Sequence, residues 1–229
     1  KMAKLLVFDA ADFQFWPNFN LLKAVRGFCT IVAVLLLTTG SAFGTDSPVI
    51  APGAKLEKLG DGYSFTDGPA ADRDGNVFFC EQSKNRIVKW NASDGKLSDW
   101  LAPSGLAKGL CFDKSGNLLA TAMEKGELWS IAPDKTITVL VTNFGGKQFN
   151  GPNDLWISPD GGVYFTDPYY RMAFMIRDPN ARIAGQHVYF MAPDRKTVTQ
   201  VTTDLFTPNG VIGTPDGKVL YVGDMGGQD

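Results

Sequence analysis

Short apolar runs separated by polar, glycine-containing turns fill most of this chain, and one arrangement of them occurs four times. In each copy a polar residue precedes an apolar run, and a turn glycine follows eight residues after that polar residue. Short runs bounded by such turns predict β-strands, and recurrence every 41 to 56 residues is typical of propeller blades. The polar residues are Asp67, Lys108, Asn153 and Asn209, and the glycines are Gly75, Gly116, Gly161 and Gly217.

The first three copies each contain enough apolar runs for four antiparallel strands, which is the content of one propeller blade. In the first copy, Asp74-Gly75-Asn76 joins two apolar runs, and Asp-Gly between such runs is a strong hairpin signal. The fourth copy contains only two predicted strands before the chain stops at Asp229. The strands expected from the pattern are 68–71, 77–80, 86–90, 96–100, 110–112, 118–122, 127–131, 136–141, 155–157, 163–166, 187–191, 198–201, 211–213 and 219–222.

The repeats therefore predict an all-β fold in which residues 62–229 form a partial β-propeller of about three and a half blades. A closed propeller needs at least about four complete blades, so we expect this sequence to be part of a longer protein. Equivalent positions of radial repeats point toward one axis. We therefore expect the side chains of Asp67, Lys108, Asn153 and Asn209 to gather around a central channel.

The residues before the first copy have a different composition. Residues 1–20 do not resemble an export leader, and we leave them outside the fold as an upstream extension of unclear origin. Residues 21–44 combine positive charges, a short apolar run and small residues ending at Gly44, as a signal peptide does. The apolar run is shorter than the roughly 20 residues of a membrane span. We expect export to the periplasm or the medium and no stable membrane span, with residues 45–61 forming a linker and the strand that leads into the first blade.

Composition excludes several classes of function. The net charge is −2, and no basic stripe of the kind that nucleic-acid binding requires is present in the sequence. His187 is the only histidine, which argues against a zinc site and against a Ser-His-Asp triad. Cys80 and Cys111 are predicted to be small buried hydrophobes, although a bridge between them is also compatible with an oxidising compartment.

An insertion between Asp167 and Gln186 makes the third repeat longer than the others. It follows the second strand of its blade, so it emerges at the same end of the propeller as Asn153. Its aromatic and apolar side chains are compatible with a loop packed on its neighbours or with a lid over the central pocket.

Three of the four repeated polar residues can supply oxygen ligands to a metal ion. Asp67 offers a carboxylate, and Asn153 and Asn209 offer amide carbonyls, which is the donor set that Ca²⁺ accepts. The alternative is that the two asparagines only serve turn geometry, because Pro152 and Pro208 precede them and Asn is common in turns. Turn geometry alone, however, does not require a carboxylate at the equivalent position of the first repeat.

Around these residues the chain resembles a known family, the gluconolactonase, senescence marker protein (regucalcin) and luciferin-regenerating-enzyme-like proteins. The resemblance runs from about Gly62 to the C-terminus, and its most specific part is an Asn-Gly-Pro-Asn-Asp motif followed by Tyr-Phe-Thr-Asp-Pro. The matching stretches are Phe65-Thr66-Asp67-Gly68-Pro69, Asn150-Gly151-Pro152-Asn153-Asp154, Tyr164-Phe165-Thr166-Asp167-Pro168 and Pro208-Asn209-Gly210.

The resemblance implies a six-bladed propeller that hydrolyses lactones of sugar acids with a divalent cation, usually Ca²⁺, in its channel. It implies that Asp67, at a position where the family normally has Glu, Asn153 and Asn209 bind the metal, and that Asn153 also faces the substrate. Lys108 stands where many relatives have Asn or a small residue. We expect it, with Tyr170 and Arg171, to contact the substrate, unless Lys108 marks a departure from the usual pocket.

The same resemblance places the catalytic Asp, the expected general base, beyond Asp229, and Asp224 does not match it. The chain as given is therefore expected to lack activity by itself. A propeller that binds a cation and a small molecule or protein without catalysis remains the alternative. A related ester- or amine-condensing propeller is the third reading, and the acidic and amide ligands argue against it.

Overall fold

A computed structural model of the chain describes residues 4–9, 54–55, 57–170 and 181–226. The predicted signal peptide, the linker up to residue 53, most of the upstream extension and Arg171 lie outside the described residues, so those predictions stay predictions. The strands belong to one compact unit, Lys1–Gln14 with Gly60–Asp229, and a second unit comprises Phe15–Leu59. Among the described residues no helix is long and apolar enough to span a membrane.

The described part of the chain is built from β-strands, with one short 3-10 helix at Gln82–Lys84. Most strands belong to four-stranded antiparallel sheets that follow one another along the chain. In chain order, the strands are β1 Lys4–Asp9, β2 Thr66–Ala71, β3 Val77–Glu81, β4 Arg86–Trp90, β5 Leu97–Leu101, β6 Ala107–Phe112, β7 Leu118–Ala122, β8 Glu127–Ile131, β9 Ile137–Val141, β10 Asn143–Phe144, β11 Lys147–Gln148, β12 Leu155–Ile157, β13 Val163–Asp167, β14 His187–Met191, β15 Val198–Gln200, β16 Pro208–Gly213 and β17 Val219–Asp224.

Three complete sheets and one partial sheet follow the predicted repeats. The sheets are β2–β5, β6–β9 and β12–β15, each paired in sequence order, and β16–β17 forms the fourth hairpin. All fourteen strands predicted from the pattern are present, with ends that differ by three residues at most. The all-β class and the repeat of antiparallel sheets are thus confirmed.

One pairing was not expected from the sequence. Strand β1, from the stretch left outside the fold, pairs in parallel with β17, from Lys4 opposite Val219 to Asp9 opposite Asp224. The apolar residues of this strand give it β-propensity. The fourth sheet therefore has the order β1-β17-β16.

The hydrophobic core lies between consecutive sheets. Strand β7 is buried along its whole length, and its alternating residues face two different neighbours. Leu118 and Ala120 pack into a cluster with Phe78 of the first sheet, whereas Leu119 packs into a cluster with Phe165 of the third sheet. A third cluster joins the third and fourth sheets. The sheets thus pack face to face, as propeller blades do.

Cys80 and Cys111 are both free thiols, so the structure contains no bridge between them. Cys80 is fully buried, and burial is the main cause that raises the pKa of its thiol above the ordinary value. Burial also raises the pKa of Cys111. The reading of these residues as small hydrophobes agrees with this structure.

Buried carboxylates at the ends of β13 and β17 fix the segments that lead into the site. Asp167 accepts hydrogen bonds from the backbone N–H groups of Asn150 and Gly151, at 2.9 and 2.7 Å. Asp224 accepts equivalent bonds, also at 2.9 and 2.7 Å, from the residues three and two positions before Asn209. Asp224 therefore has a structural role that repeats that of Asp167.

A buried threonine in the second strand links each of two sheets to the next one. The hydroxyl of Thr166 accepts a hydrogen bond from the backbone N–H of Asp154 at 3.1 Å and donates one to the carbonyl of Asn209 at 2.6 Å. Thr121 makes the same pair of bonds one sheet earlier, both at 2.8 Å. These hydroxyls satisfy backbone groups that the strand ladders leave open.

Replacing Thr166 with Val should destabilise the protein, because Val keeps the shape but removes the hydroxyl that bonds a partly buried N–H and a partly buried carbonyl. We expect the free energy of unfolding in urea to fall by about 1–3 kcal/mol. Thr199→Val is the control, since Thr199 is exposed on β15 and should change stability by less than about 0.5 kcal/mol. Equal effects of the two substitutions would contradict the linking role of Thr166.

Gly109→Ala should also be destabilising, because a Cβ there would lie 2.8 Å from Cα of Asp154 and 2.9 Å from the carbonyl oxygen of Asn153. We expect urea unfolding to show a loss of about 1–3 kcal/mol from this overpacking. Gly210 has the equivalent position in β16, but its nearest neighbour would be a carboxylate oxygen at 3.8 Å. Gly210→Ala should therefore be neutral, and a comparable loss in both variants would show that the close approach at Gly109 does not matter.

Candidate functional site

Asp67, Lys108 and Asn209 are the second residues of β2, β6 and β16, and Asn153 lies two residues before β12. In three of these strands the register shifts at this point, between Asp67 and Ala70, between Ala107 and Leu110, and between Pro208 and Val211. Such bulges re-aim side chains and interrupt strand pairing. The repeated polar residues of the first, second and fourth repeats thus lie where strand pairing is interrupted.

The structure brings Asp67, Asn153 and Asn209 together around one cavity. These three residues line a cavity of about 620 Å³ between the first strands, together with Asp154 and the adjoining glycines. Asn153 is almost completely buried, with 3% of its surface exposed, whereas Asp67 and Asn209 are partly exposed. The sequence predicted that four polar side chains gather at one place, and the structure places three of them around this cavity.

Each of the three side chains has an oxygen atom that accepts no hydrogen bond from the described residues. Asp67 accepts one hydrogen bond, at Oδ1 from the N–H of Gly68 at 2.9 Å. Asn209 uses its Nδ2 to donate to Tyr170, and Nδ2 of Asn153 is buried without a partner in the described part of the chain. One carboxylate oxygen and two amide oxygens are left for a ligand.

This donor set fits a hard cation such as Ca²⁺, which accepts neutral and charged oxygens together. Three oxygens are fewer than the six to eight that Ca²⁺ takes, so water, substrate or other parts of the protein must complete its coordination. Among the described residues no group of three or more His, Cys, Asp and Glu side chains could hold a metal ion. The candidate metal site therefore depends on the two amides.

Lys108 lies beside this cavity but does not line it. Only 4% of its surface is exposed, and its ammonium lies 5.0 Å from the ring centre of Tyr170 and 5.1 Å from that of Phe65. Burial lowers the pKa of Lys108, and the charge of Asp67 acts in the opposite direction. No carboxylate of the described residues lies within 4.0 Å of the ammonium, so Asp67 is not neutralised by a direct ion pair.

Tyr170 is the described residue of the insertion that reaches the site. Its hydroxyl accepts a hydrogen bond of 2.6 Å from Nδ2 of Asn209, and its ring covers the ammonium of Lys108. Burial raises the pKa of Tyr170, with the bond from Asn209 opposing this effect. The insertion thus begins at the end of the fold where the site lies, as predicted; its lid role and Arg171 fall outside the described residues.

Asp154 is a site residue that the sequence reading did not single out. Its carboxylate accepts hydrogen bonds from the N–H groups of Leu155 and Val211, at 2.8 and 2.9 Å. Burial raises its pKa to about 6, with a smaller contribution from the charge of Asp67. A signal was available, because the residue after the repeated polar position is Gly in the other three repeats.

Phe65 and Cys80 were also missed as neighbours of the site. Phe65 precedes Asp67 by two residues and is a largely exposed aromatic side chain beside the Lys108 ammonium. Cys80 is opposite Asp67 in the strand pairing, at the position that Thr121 and Thr166 hold in later sheets. His187 does not line the cavity.

Comparison with known proteins finds relatives among gluconolactonases and a structure of a regucalcin. The chain is 30% identical over 182 residues to a gluconolactonase of Zymomonas mobilis, covering 73% of this chain and 51% of that protein. A solved gluconolactonase structure from Xanthomonas campestris has 28% identity and a TM-score of 0.63, covering 72% of this chain and 56% of the other. A calcium-binding regucalcin structure from Agrobacterium tumefaciens, at 16% identity and a TM-score of 0.51, covers 68% and 48% and shares the fold.

The chain spans about half the length of the curated relatives that it matches. The resemblance carried by the Asn-Gly-Pro-Asn-Asp motif is confirmed by a family description, "SMP-30/Gluconolactonase/LRE-like region", which matches residues 55–227. Since this match extends over most of the chain, the chain belongs to the SMP-30/gluconolactonase/LRE-like family.

Proposed function

We propose that the whole protein to which this chain belongs hydrolyses lactones of sugar acids. The observation that carries the proposal is the convergence of Asp67, Asn153 and Asn209 on one cavity, with oxygens that the described residues leave unbonded. The gluconolactonases of Zymomonas mobilis and Xanthomonas campestris, similar over about half of their lengths, support a lactone as the substrate class.

Asp67, Asn153 and Asn209 are the residues that would hold a Ca²⁺ ion or another divalent cation. When bound, such an ion supplies Lewis acidity that polarises a carbonyl oxygen. The buried Nδ2 of Asn153 has no partner among the described residues and is available to donate to a substrate oxygen. Tyr170 orients Asn209 through its hydroxyl. A carboxylate that activates water is expected, from the family resemblance, in a part of the protein beyond Asp229.

The predicted signal peptide leads us to place this activity in the periplasm or the medium. Positive charges followed by an apolar run and small residues up to Gly44 support export. Cell fractionation of the producing organism tests the location, because a purely cytoplasmic protein that keeps residues 21–44 would refute it.

Hydrolysis of the δ-lactone of gluconic acid by the protein expressed from its complete coding sequence should require Ca²⁺. Asn153→Ala should lower kcat/KM by about a hundredfold or more, because it removes both an oxygen for the metal and a donor for the substrate. Asn143→Ala, on an exposed hairpin strand, is the matched control and should keep full activity. Measurable Ca²⁺ binding without turnover would instead favour a propeller that binds its ligand without catalysis.

Ca²⁺ affinity should depend on the charge of Asp67. We expect Asp67→Asn to weaken Ca²⁺ binding by about tenfold or more in isothermal titration calorimetry, because it removes the negative charge of Asp67. Asp154 also lines the cavity, but its carboxylate is held by two backbone N–H groups, whereas that of Asp67 accepts one. Asp67→Glu keeps the charge and should bind Ca²⁺ with an affinity close to that of the wild type. Unchanged affinity in Asp67→Asn would remove Asp67 from the metal site.

A further inference from the structure

The buried ammonium of Lys108 lacks a partner of opposite charge in contact with it. It lies between the rings of Phe65 and Tyr170, and it forms no hydrogen bond or ion pair within 4.0 Å with the described residues. Aromatic faces attract a cation, but they accept none of the three hydrogen bonds that an ammonium can donate. An ammonium with 4% of its residue exposed therefore has an unused capacity to bind an anion.

A second donor without a partner among the described residues lies just before the first strand of the next sheet. Nδ2 of Asn153 is buried and unbonded in the described part of the chain. The backbone segments that carry Lys108 and Asn153 approach closely, since a Cβ on Gly109 would lie 2.9 Å from the carbonyl oxygen of Asn153. Two neighbouring segments thus each carry a donor that the described residues leave without an acceptor.

The two donors differ in their relation to the cavity. Asn153 lines the cavity that contains the candidate metal ligands, whereas Lys108 lies outside its lining and next to the partly exposed Tyr170 and the exposed Phe65. A substrate whose reacting group enters the cavity would present its far end to Lys108. The ammonium would then select the group at that far end.

We propose that the preferred substrate is a lactone that carries a free carboxylate, and that Lys108 pairs with this carboxylate. This inference rests on the proposed lactone hydrolysis and adds the substrate class. A carboxylate supplies a negative charge as well as acceptor lone pairs, whereas a sugar hydroxyl supplies lone pairs without a charge. The flat rings of Phe65 and Tyr170 leave one ammonium for the anion, which suits a singly charged carboxylate better than a phosphate with two charges.

The test compares three lactones with the protein expressed from its complete coding sequence. They are the monolactone of glucaric acid, which has a free carboxylate, the neutral δ-lactone of gluconic acid, and the phosphorylated gluconolactone. We expect the highest kcat/KM for the glucaric acid monolactone. Lys108→Met should lower that value by about thirtyfold or more and change the value for the neutral lactone by less than about threefold, because breaking a buried charge pair removes the preference.

Two further variants separate charge from packing. Lys108→Arg keeps the charge and should retain most of the preference for the carboxylate. Lys89→Met is the matched control, because the ammonium of Lys89 also lies over a ring, 5.4 Å from the centre of Phe78, but on β4 away from the cavity. The control should hydrolyse all three lactones as the wild type does.

The outcomes distinguish failure of this inference from failure of the proposed function. Hydrolysis of the neutral lactone with no preference for the carboxylate, or equal losses on both lactones in Lys108→Met, would refute the role of Lys108 alone. A preference for the phosphorylated lactone would refute the carboxylate. If no lactone is hydrolysed, the proposed function fails, and calorimetric binding of glucarate decides the inference: binding lost in Lys108→Met supports it, and equal or absent binding refutes it.

Discussion

The close approach of the first strands around the cavity is the constraint on which the rest of the site depends. Gly68 leaves no room for a side chain against the carbonyl of Lys108, and Gly109 lies in the same way against the strand of Asn153. Thr121 and Thr166 satisfy the backbone groups at these junctions. These hydroxyls bond the backbone carbonyls of Asn153 and Asn209, so those two asparagine side chains are not needed for these junctions.

The charged side chains at the cavity, Asp67, Asp154 and Lys108, have different surroundings. The carboxylate of Asp154 accepts hydrogen bonds from two backbone N–H groups, and burial raises its pKa to about 6. Asp67 has one such bond and lies close enough to Asp154 to raise that pKa further. The Lys108 ammonium lies near the rings of Phe65 and Tyr170 and makes no ion pair with Asp67. Asp67 is thus the carboxylate that has an oxygen available for a cation, whereas Lys108 does not line the cavity.

Local sequence pattern predicted most of the fold, because each blade is made of short hairpins whose turns and apolar runs are adjacent in sequence. The register of eight residues also identified Asp67, Asn153 and Asn209 as neighbours. Asp154 was missed because its importance comes from a hydrogen bond to Val211, 57 residues later. The pairing of β1 with β17 was missed for the same reason, since it joins the two ends of the chain. Which ring covers Lys108 depends on an insertion whose path the repeat pattern does not specify.

Comparison of the repeats also shows at which positions of the site the residue type differs from one repeat to the next. The repeated polar position accommodates Asp, Lys and Asn, although Lys108 and Asn153 are almost completely buried there. At the following position Gly68 and Gly109 are required by close backbone contacts, whereas the space at Gly210 is open. Asp154 occupies that following position in the third repeat because its carboxylate can reach the N–H of Val211 in the next strand. Chemical differences among the repeats are therefore confined to positions where the packing of strands leaves room, and Lys108 is the one such difference that introduces a positive charge beside the cavity.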